Sequence, residues 1–158
     1  LPDKVLKVAE LVQQRRGLII FTSSSGSVHY CFGPAYGAHK ASLDKFAADM
    51  AVDFQEHQVA TLSLWMGALW TERTRMVLAQ MPKDIAQQIE AVAETPELSG
   101  PVIWALYHDP RLLELSGQTL LTAEMALQYG IKDQGGRQPP SLRGSHGEPR
   151  VQHPVIIR

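Results

Sequence analysis

The chain contains no asparagine and a single cysteine, Cys31. One thiol excludes an intrachain disulfide framework and is compatible with a reducing compartment. Long apolar runs are missing, and none approaches the roughly 18 residues that would read as a membrane span. Excess charge of either sign is missing too: 15 Lys and Arg face 16 Asp and Glu, for a formal net charge of −1. That balance offers no long-range attraction to nucleic acid or to an anionic membrane surface. The six histidines (His29, His39, His57, His108, His146 and His153) show no metal-ligand spacing on one helix face, so no metal site is expected. No Gly-x-Gly-x-x-Gly or Gly-x-x-x-Gly-x-Gly turn occurs, and Gly26 and Gly33 do not make one. The first residues, Leu1 to Lys4, do not read as a signal peptide, and no internal repeat is seen.

What is present suffices for one domain with a core: 158 residues, 44% hydrophobic. Asp3 to Arg16 reads as an amphipathic helix, with Val5, Val8, Ala9, Leu11 and Val12 on its apolar face and Gly17 as its stop. Leu18 to Phe21 is a short apolar run, expected as a strand buried on both faces of a parallel sheet. Pro34 to His57 reads as a long helix, and Val59 to Trp65 as a second buried strand. Strand, helix and strand joined by short turns predict a βαβ unit with parallel strands. Glu72 to Ala93 is helical in pattern with a break at Pro82. Thr95, as N-cap, opens a further helix that runs to His108 and ends at Asp109-Pro110. From Gln134 onward Gly, Pro, Ser and Arg dominate, which predicts an extended or poorly ordered tail.

The chemistry concentrates between Ser23 and Lys40. Residues four apart on a helix share a face, so Tyr36 and Lys40 point the same way. A positive charge beside a phenol favours its phenolate form, which makes such a pair a sensible acid and base. A serine at the preceding strand end could hold a carbonyl oxygen nearby. The set suits proton transfer coupled to oxidation or reduction at a carbonyl carbon. The bland reading is a half-buried tyrosine and a solvated lysine on an ordinary helix. Ser24 and Ser25 read as turn formers, and the choice of Ser23 rests on spacing. His39 reads as a surface residue, and Cys31 as a core or pocket thiol.

This stretch resembles the short-chain dehydrogenase/reductase family. That family carries Tyr-x-x-x-Lys with a serine thirteen residues before the tyrosine, opening a Ser-x-x-Gly turn. Tyr36 follows Ser23 by thirteen residues, and Ser23 opens Ser23-Ser24-Ser25-Gly26. The family's Pro-Gly-x-x-x-Thr loop is matched by Gly67 and Thr71. Met66 stands in place of the proline, which keeps the backbone contacts and removes the ring that would stiffen the loop. Ser63-Leu64-Trp65 with Gly67, and Tyr129 to Asp133 with Gly136-Arg137, resemble more narrowly the group around dehydrogenase/reductase family member 1.

The resemblance spans Leu1 to Arg137 and implies an α/β fold. The chain would be the C-terminal part of a doubly wound Rossmann-like parallel sheet, with the N-terminal strands absent. Residues 1–128 would form the catalytic half, with a lid over about 68–95, and 129–158 a tail. The resemblance makes Ser23, Tyr36 and Lys40 catalytic, and Tyr36, Lys40, Gly67 and Thr71 contacts to NAD or NADP. Tyr30, Phe32, Met66 and Trp70 are candidates for a substrate pocket. The family's catalytic asparagine and its phosphate-holding turn have no counterpart here. The implied partners are a small carbonyl or alcohol substrate and, at full length, a homodimer or homotetramer. The implied setting is intracellular, cytoplasmic or organelle-associated. A different reading stays open: a truncated, non-catalytic member that acts through its helices as an interaction or dimerisation module.

Overall fold

The computed structural model describes residues 2–157, with side chains from Lys7 onward. Helix α1 (Pro2–Gln14) ends where Arg15 takes a positive φ of 49°. The stop falls before Gly17, which is already the first residue of strand β1 (Gly17–Ser23). Gly17 is needed for another reason: a Cβ there would come 2.9 Å from the Leu11 side chain.

Strand β1 pairs in parallel with β2 (Val59–Trp65), in register from Gly17 opposite Val59 to Ser23 opposite Trp65. Between them runs α2 (Pro34–Phe54), so the expected βαβ unit forms. A 3-10 turn at Gln55–His57 and a left-handed Gln58 (φ 58°) reverse the chain into β2. Strand β3 (Thr119–Leu121) pairs in parallel on the other side of β2, giving the order β1-β2-β3. Every residue of the central β2 is buried. Leu18 to Phe21, expected to be buried on both faces, are only half-buried. Among the described strands β1 is an edge, so it lacks the neighbour that would complete its cover.

Helices α3 (Glu72–Leu78) and α4 (Lys83–Val92) follow β2, with Pro82 at the break between them. A 3-10 turn at Pro96–Leu98 leads into α5 (Ser99–His108). Thr95 makes no capping bond, contrary to expectation, because its hydroxyl donates to Asp133 instead. Short helices α6 (Leu112–Leu115) and α7 (Thr122–Gln128) flank β3. The core joins Leu62 and Leu64 of β2 to Val102 and Leu106 of α5 and Met125 and Ala126 of α7. On the other face of the sheet α2 is pinned by polar bonds: Thr61 donates to the Ala47 carbonyl, and Ser63 and Trp65 donate to the Asp44 carboxylate.

The segment after α7 is irregular, as its Gly and Pro content predicts, but it is not loose as far as Gly147. The Tyr129 hydroxyl donates to Asp109 at 2.6 Å. Asp133 accepts from the Thr95 N–H at 2.9 Å, and Arg137 donates to the Ala93 carbonyl at 2.8 Å. At the one-turn helix α8 (Arg143–His146), Arg143 makes a two-pronged bond to Glu124, at 2.9 and 2.7 Å. Composition could not show these anchors, because they join residues far apart in the chain. Beyond Gly147 the described residues form no regular structure, and Val151 to Ile157 are exposed. Among the described residues no helix is long and apolar enough to cross a membrane.

Candidate active site

The C-terminal ends of β1 and β2 meet at one place, where the Met66 N–H donates to the Ser23 carbonyl at 3.2 Å. At this end of a parallel sheet the chain leaves the strands and groups from different segments converge.

Ser23 is fully buried there, and its hydroxyl donates to the Lys40 carbonyl at 3.1 Å. Ser24 is the residue that meets Tyr36: the two hydroxyl oxygens lie 2.9 Å apart. The spacing of thirteen picked Ser23, but successive extended residues point to opposite sides. Ser24, with φ −160° and ψ 167°, continues the strand geometry by one residue and turns its side chain to the other side. Gly26 allows the approach, since a Cβ on it would come 2.5 Å from the Tyr36 ring.

Gly33 (φ 93°) and Pro34 open α2, which puts Tyr36 in its first turn and Lys40 one turn on. The Lys40 ammonium sits 5.6 Å from the centre of the Tyr36 ring and donates to the Thr22 carbonyl at 3.4 Å. Tyr36 and Lys40 therefore share a face, as their spacing requires. Asp44, a further turn along, takes the Ser63 and Trp65 bonds and fixes the helix on the sheet.

The pocket candidates separate. Tyr30 and Phe32 are 84% and 85% exposed. Phe32 stands edge-on to Tyr36 with ring centres 5.3 Å apart, so it lies beside the tyrosine rather than within an enclosed pocket. Met66 and Gly67 line a small cavity with Glu94, Leu121 and, from the C-terminal segment, Leu142. Trp70 is half-buried on the same loop, and its N–H donates to the Glu94 carbonyl. The Thr71 hydroxyl caps α3 by accepting from the Thr74 N–H at 3.2 Å.

Three features of this region carried no signal in the sequence. Ser24 is one. The second is the His29 ring, whose Nε2 lies 3.1 Å from the Ser25 hydroxyl and whose face meets His146 edge-on at 5.6 Å. The third is Glu94, 1% exposed, whose carboxylate accepts from the Gly67 N–H at 2.9 Å. Burial raises its pKa to about 7 against the lowering effect of the Gly67 bond, with the Asp133 charge raising it further. Glu94 lies just before Thr95-Pro96-Glu97, where the helix-start pattern begins, and no local pattern marks a single carboxylate there as buried.

A parallel βαβ frame that brings a tyrosine, a lysine one turn on and a serine to its strand ends is one half of a doubly wound α/β domain. Solved short-chain dehydrogenases share it. An oxidoreductase of that family from Burkholderia thailandensis superposes with a TM-score of 0.63 at 23% identity, over 78% of this chain and 50% of that one. A 3-oxoacyl-[acyl-carrier protein] reductase from Brucella melitensis, solved with bound NAD, superposes at 0.57 and 21% identity, over 72% and 42%. A 4-hydroxyisoleucine dehydrogenase mutant, solved with NADH and succinate, does so at 0.61 and 20% identity, over 76% and 52%.

The family model for short chain dehydrogenase matches residues 4–82, and the chain belongs to that family. Dehydrogenase/reductase SDR family member 1 from Homo sapiens is 39% identical over 133 residues, and that from Mus musculus 38%. The match takes in 80% of this chain and 42% of each relative, so the chain spans less than half the length of these curated relatives.

Proposed function

We propose that this chain carries the catalytic half of an NAD- or NADP-dependent oxidoreductase that interconverts a carbonyl and an alcohol. The observation that carries the reading is the 2.9 Å pair of Ser24 and Tyr36 hydroxyls beside the Lys40 ammonium. Ser24, rather than Ser23, takes the part of the serine that holds the substrate oxygen, because Ser23 is turned away and spent on a backbone carbonyl.

The residues present fit the nicotinamide-ribose end of such a coenzyme. An ammonium has three donors, and among the described residues one of Lys40's is engaged, with the Thr22 carbonyl, leaving others for ribose hydroxyls. Gly67 and Thr71 lie on the loop that follows β2 and leads into α3. When bound, the coenzyme supplies or accepts the hydride. Tyr36 gives a proton to the substrate oxygen in reduction and takes it back in oxidation. Lys40 favours the phenolate by its charge, and Ser24 keeps the oxygen within reach of the phenol. Met66 and Trp70 line the substrate side, with Tyr30 and Phe32 at its outer rim. Helices α3 and α4 act as the lid.

The test is an assay of the native polypeptide that carries this chain, with NADH and NADPH and a series of aldehydes and ketones. Positioned acid/base transfer is worth about 10² to 10⁴ in rate. Tyr36→Phe is expected to lose at least that much while its circular dichroism stays unchanged. Wild-type turnover in that variant overturns the assignment.

A further inference from the structure

Three stretches of this fold, far apart in the chain, are held in series. The loop from Met66 to Trp70 is held by Glu94, and Glu94 stands between two residues held by the C-terminal segment. Glu94 grips the loop three times. Its carboxylate accepts from the Gly67 N–H at 2.9 Å, its N–H donates to the Ala68 carbonyl at 2.9 Å, and its carbonyl accepts from the Trp70 N–H at 2.8 Å. Leu69 and Glu94 form an isolated parallel bridge as a result. The neighbours of Glu94 are fixed in turn. Arg137 donates to the Ala93 carbonyl, and Asp133 accepts from both the N–H and the hydroxyl of Thr95.

We propose that Glu94 is a positioning residue for the coenzyme loop: its carboxylate latches Gly67, the latch tightens when that carboxylate is ionised, and the segment Asp133–Arg137 keeps it in place. The proposal rests on the reading that this loop meets the nicotinamide end of the coenzyme. Met66 gives the loop no ring to stiffen it; Ser23 holds its first residue, the Thr74 hydroxyl holds the Leu69 carbonyl, and Glu94 holds Gly67, Ala68 and Trp70 between and beside them.

The setting makes the latch responsive to protons near neutrality. Glu94 is buried, and the cavity it lines is otherwise formed by uncharged groups: Trp65, Met66, Leu121, Ala123, Pro140 and Leu142 among them. The loop itself carries no charged side chain from Met66 to Thr71. The charged group that faces Glu94 is Asp133 on the C-terminal segment, whose own charge is in turn met by Arg137. A hydrogen bond to an ionised carboxylate is about twice as strong as one to its neutral form. Deprotonation of Glu94 through about pH 7 therefore tightens the hold on Gly67.

The test is hydrogen exchange of the loop amides in the coenzyme-free native polypeptide, for wild type, Glu94→Ala and Glu94→Gln, followed by NADH and NADPH titration of each. In Glu94→Ala the Gly67 amide is expected to exchange about tenfold faster or more, with the sheet amides unchanged. Glu94→Gln keeps an acceptor and retains most of the protection. In wild type the Gly67 protection, corrected for intrinsic exchange, rises as pH passes through about 7, and in Glu94→Gln it does not. Coenzyme dissociation constants rise several-fold in Glu94→Ala only. Unchanged Gly67 exchange in Glu94→Ala overturns the latch, whatever the coenzyme does. Faster exchange with unchanged affinity for both coenzymes overturns the loop as a coenzyme contact, and with it the positioning role, while the function assigned to Tyr36 is judged separately by Tyr36→Phe.

Discussion

The hydroxyl of Ser24 lies 2.9 Å from that of Tyr36, while the hydroxyl of Ser23 faces away from it and donates to the carbonyl of Lys40. The two serines are neighbours in sequence and differ in what their loss removes. On the proposed function, Ser24→Ala deletes the group beside the Tyr36 hydroxyl and is expected to lower kcat/KM by about 10² or more with little effect on stability. Ser23→Ala deletes a buried bond between β1 and α2, and is expected to cost about 1 kcal/mol of stability with a smaller effect on turnover. Steady-state kinetics and urea unfolding of the two variants check the division. A larger rate loss in Ser23→Ala would return the catalytic part to the serine thirteen residues before the tyrosine.

Glu94 gives a stability signature of definite sign. Its carboxyl is raised from 4.5 to about 7 by burial, so between these values the folded protein holds a proton that the unfolded chain has released. Stability from this group is therefore fully present below the unfolded value and is lost as pH rises to about 7, beyond which it is flat. Glu94→Gln does not titrate. It is expected to be more stable than wild type near pH 8, by at most about 3 kcal/mol, and close to it near pH 4.5. Thermal unfolding at the two pH values checks this; an equal shift at both means that Glu94 does not titrate in the folded state as described.

Asp133 holds the other end of the same series. It is buried, and removing its carboxylate leaves the buried N–H and hydroxyl of Thr95 without partners. Asp133→Ala is expected to cost about 3 kcal/mol, and Asp133→Asn, which keeps an acceptor, less. Burial pushes the Asp133 pKa up, but the Thr95 and Gln134 bonds and the Arg137 charge outweigh it, so the pKa lies below the usual value. Its contribution to stability is present above the unfolded carboxylate value of about 3.9 and is lost as pH falls through the lower folded value. Denaturant unfolding of both variants, repeated under acid conditions, measures the difference.

The element order was legible from local pattern. A short apolar run, a long helical stretch opened by Pro34 and a second apolar run are enough to specify β1, α2 and β2; β2 keeps its predicted limits, and β1 extends beyond the expected Leu18 to Phe21 to cover Gly17–Ser23. Tyr36 and Lys40 were legible for the same reason, because a helix converts a spacing of four into a shared face. Spacing chose Ser23, since it counts residues and does not register which side of a strand each one takes.

The sequence by itself determined the family of this chain, its parallel βαβ frame and the tyrosine–lysine pair, because each depends on neighbours within a few turns of chain. Only the tertiary structure decided that Ser24 meets Tyr36, that the C-terminal segment is held down as far as Gly147, and that Glu94 grips the loop after β2. These depend on contacts between residues dozens of positions apart, such as Gly67 with Glu94 and Thr95 with Asp133. No local periodicity records such a contact, because the burial that makes each bond strong exists only once the elements have packed.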